Sequence, residues 1–140
     1  MLRDKVGDFY PYILTIGPLL HDWQIHDGEY RIGYAWCTLH GDVFNIGDLK
    51  FEEAVIQPQT FLARLFGRPV QTRRYRRRGL GSSLLPLIIR HARSCGARRI
   101  TGLISTGDLG AFPELSAWYA RYGFVFTPGG MLAGHLEMIL

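Results

Sequence analysis

The chain is poor in cysteine and in lysine. Cys37 and Cys95 are its two thiols, too few for a disulfide framework and at a spacing that fits no metal motif. Their scarcity suits a reducing compartment, and a cytoplasmic protein is expected. Of 16 basic residues only Lys5 and Lys50 are lysine. No apolar run reaches the roughly 18 residues that a membrane-spanning helix needs. No signal peptide is read near Met1: residues 1–8 are charged, and Tyr10–Leu20 contains two prolines and a glycine. Internal repeats and low-complexity linkers are absent. His21, His26, His91 and His135 share no spacing that suggests a metal, and His40 reads as a surface residue in a turn. With 47% hydrophobic and 20% charged residues, the 140 residues are expected to form one domain, residues 1–140, with a core that needs no staple.

What is abundant is arginine, and it is unevenly placed. Residues 1–63 hold nine acids and four bases, whereas residues 64–140 hold twelve bases and three acids. The overall charge of +4 alone would suggest a nucleic-acid or membrane surface. The segregation instead implies two surfaces of opposite sign, one of them able to hold an anion.

The first half reads as strands. Tyr12–Leu20 and Glu29–Leu39 are rich in β-branched and aromatic residues. His40-Gly41-Asp42 is turn chemistry, so residues 31–39 and 43–55 form an expected antiparallel hairpin. Residues 47–56 suit a strand with one covered face. Residues 57–75 break the pattern and read as an insertion loop, with a short helical turn at Thr60–Phe66. Beyond it, Leu80, Leu84, Ile88 and Ala92 recur at helical spacing, and Gly96 caps the helix end. A strand follows at Arg99–Ser105, then a helix from about Pro113 with Leu115, Trp118 and Tyr122 as its buried stripe. Gly123 stops it, and strands follow at Phe124–Thr127 and His135–Leu140. Cys95, on the apolar side of its helix, and Cys37, in a strand, read as buried and inert. The order implies a mixed α/β sheet.

The chemistry concentrates in residues 75–85. Gly79 and Gly81 let the backbone turn sharply and approach a ligand. The helix start leaves N–H groups without partners and carries partial positive charge, which together make a phosphate cradle. Arg76, Arg77 and Arg78 add countercharge, and Ser82 and Ser83 can cap the helix or bond a phosphate oxygen. No Gly-Lys-Ser/Thr follows, so this is not a Walker loop, and the third glycine of a dinucleotide fingerprint is missing. Pro86 is cheap only if the helix starts late, near Ser82 or Ser83.

The form Arg-x-x-Gly-x-Gly, at Arg76, Gly79 and Gly81, resembles the pyrophosphate loop of the GNAT N-acyltransferase superfamily. The segment Trp118-Tyr119-Ala120-Arg121-Tyr122-Gly123-Phe124 is similar to the aromatic-Tyr-x-x-x-Gly-Phe segment of the same superfamily, in the same order and with a strand between. The resemblance covers about residues 47–140. It implies a mostly antiparallel sheet splayed at the cofactor strand and flanked by helices. It implies acetyl-CoA as cosubstrate, with no metal, and transfer of its acetyl group to a primary amine by direct attack. Cofactor contacts then fall on Val55 and Ile56, on Arg76, Arg77, Arg78, Gly79 and Leu80, and on Gly81, Ser82 and Ser83. A backbone N–H near residue 55 would polarise the thioester carbonyl. Tyr119 stands at the position of the general acid. A strand carboxylate would be the base: Glu52 and Glu53 point to opposite faces, Glu52 is preferred, and Asp48 shares its face.

The sequence also departs from that pattern. Phe112 stands where many members carry asparagine, residues 57–75 lengthen the link to the loop, and the N-terminal part is short for two covering helices. The acceptor, a small molecule or a protein amine, would then rely on the insertion or on a second subunit of a homodimer. The acidic half points to a cationic amine. Two other readings remain: a basic nucleic-acid-binding module, which the acidic half argues against, and a non-catalytic acyl-CoA sensor of the same fold. An acyltransferase or sensor should melt at higher temperature with coenzyme A present. A nucleic-acid binder should ignore coenzyme A and take up oligonucleotides in a salt-dependent way.

Overall fold

The computed structural model describes residues 1–56, 65, 67, 72–75, 78–129 and 132–140. β-branched and aromatic residues punctuated by turns give an antiparallel meander: β3 (Tyr12–Ile16), β4 (Leu20–Asp27), β5 (Tyr30–His40) and β6 (Val43–Phe51). The expected single strand Tyr12–Leu20 is divided. Pro18 has no N–H for a ladder, and the Gly17 N–H closes a turn on the Leu20 carbonyl at 2.8 Å. Gly41 turns β5 into β6 at φ 59°. Ahead of the meander, β1 (Leu2–Arg3) and β2 (Phe9–Tyr10) pair as a separate small hairpin.

β6 is shorter than expected. It ends at Phe51, and β7 (Ala54–Ile56) turns aside to pair with β8 (Thr72–Arg74). The insertion therefore begins as a two-stranded ribbon, and the helical turn expected at Thr60–Phe66 lies outside the described residues, apart from Leu65. β9 (Arg99–Ile104) pairs parallel with β6 and antiparallel with β11 (Leu132–Ile139), and β10 (Val125–Gly129) forms the far edge. The order β10-β11-β9-β6-β5-β4-β3 is antiparallel everywhere except at β6–β9, so the mixed, mostly antiparallel sheet is as expected.

Helix α1 (Leu80–Ser94) links β8 to β9 and covers one face of the sheet. Leu80, Leu84, Leu85, Ile88, Ile89 and Ala92 are buried there, against Trp23, Ile25, Ala35, Phe44 and Ile100 in the same core. Each fully buried aliphatic side chain contributes roughly 1.5–3 kcal/mol. The helix ends in a Schellman motif: Gly96, at φ 79°, donates to the Arg93 carbonyl, and Ala97 donates to that of Ala92. Cys37 is buried as expected, and burial, with Asp22 nearby, pushes its thiol up to about 12. Cys95 is only half-buried and stands beside His91. No described helix is long and apolar enough to cross a membrane.

The helix expected from about Pro113 is short and is preceded by another that was not expected. Ser105 starts α2 (Thr106–Ala111) with a capping box: its Oγ accepts from the Asp108 N–H at 3.0 Å, and the Asp108 carboxylate accepts from the Ser105 N–H at 3.3 Å. Phe112, before a proline, leaves helical geometry, and α3 (Leu115–Ala120) follows. The deepest residue of α3 is Tyr119 rather than the expected stripe, because its ring packs edge-on against Phe124. Leu115, Trp118 and Tyr122 are half-buried.

Helix α1 starts at Leu80, so Pro86 sits inside it and leaves the Ser82 carbonyl without its helical donor. The Tyr122 hydroxyl supplies one, at 3.3 Å, and the Trp118 Nε1 donates to the Ser82 Oγ at 3.0 Å. The two motifs of the sequence thus meet at one residue. Tyr122→Phe should cost about 1 kcal/mol in denaturant unfolding. In a Pro86→Ala background, where residue 86 regains an N–H for the same carbonyl, the cost should shrink. Equal costs in both backgrounds would refute this role for Tyr122.

Candidate active site

The site begins with a fault in the sheet. β6 and β9 pair from Val43/Arg99 to Ile46/Gly102 and no further, although β6 runs on to Phe51 and β9 to Ile104. The cause lies on the other side of β6. Cys37 faces Ile46 while Trp36 faces Asp48, so Gly47 is an extra residue, a β-bulge. The bulge bends β6 away from β9, and a gap opens between residues 47–51 and 103–104.

The edge of that gap is polar. The Glu52 N–H donates to the Ile32 carbonyl at 2.8 Å, which fixes the alternation of the β5–β6 ladder. Lys50 and Asp48 then bond towards β5, and the N–H and C=O groups of Leu49 and Phe51 point into the gap. At the next outward position, the Glu53 carbonyl accepts from the Tyr75 N–H at 3.2 Å, which brings the returning chain to the mouth of the gap.

Helix α1 starts beside it. Gly79 precedes the helix at φ 81°, a left-handed conformation that a side chain resists, and a Cβ there would lie 2.7 Å from the Lys5 Cγ. Gly81 keeps the first turn bare where it approaches Trp118 and Phe51. Ser83 makes the first helical bond, to the Gly79 carbonyl. Among the described residues, no acceptor takes the N–H groups of Leu80, Gly81 or Ser82. These are the groups an anion would meet.

The countercharge is not arranged as expected. Arg78 turns to the N-terminal hairpin, where its Nε lies 2.7 Å from the Asp4 carboxylate and its guanidinium donates to Asp8 at 2.8 Å. The Nε contact is close but off the N–H direction, so it is electrostatic rather than a hydrogen bond. Asp4 is buried, and its carboxylate also accepts from the N–H groups of Val6, Gly7 and Asp8 and from the Tyr10 hydroxyl. Burial alone would raise the Asp4 carboxyl, but the three backbone N–H donors and the charge of Arg78 hold it below its ordinary value. The Ser83 Oγ donates to the Arg3 carbonyl, and the Ser82 Oγ faces Trp118. Arg78, Ser82 and Ser83 therefore brace the loop rather than face a phosphate. Arg76 and Arg77 lie outside the described residues. Val55 and Ile56, expected on the splayed strand, belong to the β7–β8 ribbon, and the gap is edged by Leu49 and Phe51 in their place.

Tyr119 packs on the core beneath this region, between Trp118 and Phe124. Burial, helped by the charges of Asp108, Cys37 and Asp48, pushes its phenol up to about 12. The hydroxyl thus keeps its proton at neutral pH, within electrostatic reach of the bulge. On the uncovered face of the sheet, Asp48 and Glu52 share one side of β6 with Lys50. Asp48 stands at the bulge and accepts from the Tyr34 hydroxyl at 2.7 Å, which, with burial, raises the Tyr34 phenol. Glu53 is exposed and lies past the end of β6. Arg90, Arg93, Arg98 and Arg99 are exposed at or past the far half of α1, up to about 20 Å from its free N–H groups.

No family model matches the sequence, and no curated protein matches it. Solved structures match the fold. PaiA N-acetyltransferase from Thermoplasma acidophilum, in complex with coenzyme A, aligns with 87% of this chain at TM-score 0.60 and 11% identity, and the chain spans 62% of that protein. A GNAT family acetyltransferase from Elizabethkingia anophelis with acetyl-CoA bound aligns with 86% of the chain at TM-score 0.59 and 13% identity, over 76% of its own length. The ribosomal-protein-S18-alanine N-acetyltransferase from Escherichia coli aligns with 89% at TM-score 0.58 and 13% identity, over 71% of its length. The chain has the fold of the GNAT acetyltransferases.

The raised phenol predicts a pH effect. An unfolded tyrosine ionises near 10.0, and folded Tyr119 holds its proton to about 12. Stability should fall between these values by up to about 3 kcal/mol. Cys37 adds its own decline from 9.0 upwards. Denaturant unfolding across this range should show a shallower decline for Tyr119→Phe than for the unaltered chain.

Proposed function

We propose that the chain is an acyl-CoA-dependent N-acyltransferase that moves an acetyl group to a primary amine. The observation that carries this reading is the meeting of the β6–β9 gap with the free N–H groups that open α1, at Gly81 beside Phe51 and Trp118, with the buried Tyr119 next to that Trp118. The residues present suit such a cosubstrate. Backbone donors and acceptors edge a slot between two strands, and helix-terminal N–H groups stand beside it where glycines keep side chains away. Acetyl-CoA supplies a thioester, whose carbonyl is open to attack by an amine and whose thiol is the leaving group.

The chain's own groups divide the work. Leu80, Gly81 and Ser82 offer N–H donors and the positive end of a helix dipole to phosphate oxygens. Leu49 and Phe51 offer N–H groups at the slot, where a donor aimed at a carbonyl oxygen favours the charge that develops on attack. Tyr119 holds a proton at its phenolic oxygen for the departing sulfur. A phenol near 12 is a weaker acid than a thiol near 8.5, so its main contribution is a hydrogen bond that strengthens as charge grows on sulfur. Asp48, at the bulge, takes the amine proton directly or through water, with Tyr34 orienting its carboxylate. Glu52 lies two pleat repeats further along and draws a cationic acceptor. Acceptor approach from the uncovered face puts the amine beside both carboxylates.

Acetyl-CoA with a panel of amines tests this reading. Asp48→Asn and Tyr119→Phe should each lower kcat about 100-fold or more while leaving the coenzyme A thermal shift in place. Glu52→Gln should raise KM for a cationic amine and leave kcat within a few-fold. Unchanged turnover in both Asp48→Asn and Tyr119→Phe would remove these two residues from the chemistry.

A further inference from the structure

Helix α1 ends in a group that the candidate active site does not use. His91 and Cys95 lie four residues apart in the last turn, on one face of the helix. β4 brings His21 to the same point, although 70 residues separate the two histidines. The His21 Nδ1 and the His91 Nε2 are 2.7 Å apart, and the Cys95 Sγ is 3.4 Å from that same Nε2. All three ligand atoms lie within 4.8 Å of one another.

We propose that His21, His91 and Cys95 form a binding site for one zinc ion that clamps the end of α1 to the sheet. The donor set suits zinc, since two imidazole nitrogens and a thiolate are the borderline-to-soft ligands that it prefers over magnesium or calcium. The spacing suits it too. Around a tetrahedral zinc, two nitrogens stand about 3.3 Å apart and a nitrogen and a sulfur about 3.6 Å. The two histidine nitrogens would separate by about 0.6 Å and the Cys95 Sγ would draw in on the His21 Nδ1 from within 4.8 Å to about 3.6 Å, shifts that fall to the half-buried His91 and Cys95 while the buried His21 stays in place. The proton shared between the imidazoles moves to the outer nitrogen of its own ring, and the thiol proton leaves to solvent.

The surroundings hold the ligands in place. Trp23 and Phe44 pack edge-on against the His91 ring, and Phe44 does the same for His21. His21 is buried, while His91 and Cys95 are half-buried. The fourth coordination position therefore faces outward, where water can fill it. The cluster lies about 20 Å along α1 from its free N–H groups, so the ion serves the fold and not the acyl chemistry. It was invisible in the sequence because His-x-x-x-Cys is half a site whose third ligand is a distant strand residue.

Cobalt reports on such a site. The chelator-treated full chain, titrated with Co²⁺, should bind one equivalent and develop both a thiolate-to-cobalt charge-transfer band and the intense visible bands of a tetrahedral centre. Zn²⁺ should bleach them and raise the melting temperature by several degrees. Cys95→Ser, nearly isosteric and half-buried, should lose the charge-transfer band while keeping the circular dichroism of the fold, and His91→Ala should lose binding. Absence of the bands in the unaltered chain would mean that the three side chains form a hydrogen-bonded cluster only, and would overturn the proposal. A charge-transfer band that survives Cys95→Ser would trace to Cys37, the only other thiol, and would overturn it equally.

Discussion

A single extra residue in β6 governs the layout of the site. Gly47 has no partner across β5, and the strand answers by turning away from β9. Without that bulge the one parallel pair of the sheet would zip to its end, and no backbone donors would be left facing open space. A parallel pair is a suitable place for such a fault. Its two strands are joined by a long crossover rather than a tight turn, so nothing in the connection forces them together. The crossover, in turn, is what carries helix α1 and its free N–H groups to the mouth of the gap.

The start of α1 and the aromatic segment of α3 are then fastened to each other through a single residue. Ser82 offers its carbonyl to Tyr122 and its hydroxyl to Trp118. Pro86, an awkward residue for a helix, is what leaves that carbonyl available. The aromatic segment therefore does more than fill space: it sets where α3 lies on α1, and so where the Tyr119 phenol points. A proline that looks like a defect and a tyrosine that looks like packing are complementary halves of one joint.

Much of this was legible in the residues because it is local. Turn chemistry announced the β5–β6 hairpin, and the Gly79–Gly81 pair announced the start of α1. The four-residue spacing of Leu80, Leu84, Ile88 and Ala92 announced its buried face. What escaped depends on partners far along the chain. The bulge is a relation between β5 and β6 that neither strand shows alone. Its absence from the reading moved the expected cofactor contacts to Val55 and Ile56, which in fact form a ribbon with β8. Arg78 looks like phosphate countercharge until Asp4 and Asp8 are found against it. Asp48 and Glu52 share a face, and only the bulge shows that Asp48 stands where β6 leaves β9 while Glu52 lies towards the mouth of the gap. His21 and His91 carry no joint signal until the sheet and helix are assembled.

The brace on the phosphate loop also bears on how the molecule is made. Arg78 and Ser83 reach Asp8 and Arg3 across 70 and 80 residues of sequence. Chain growth delivers Asp4 before Arg78 and leaves its carboxylate without its guanidinium partner until 74 further residues, the last of them Arg78, have followed. Closing so long a loop is slow and is rewarded only once the intervening sheet has brought the ends together. The start of α1 is thus braced only once the intervening sheet has brought both ends of these contacts together.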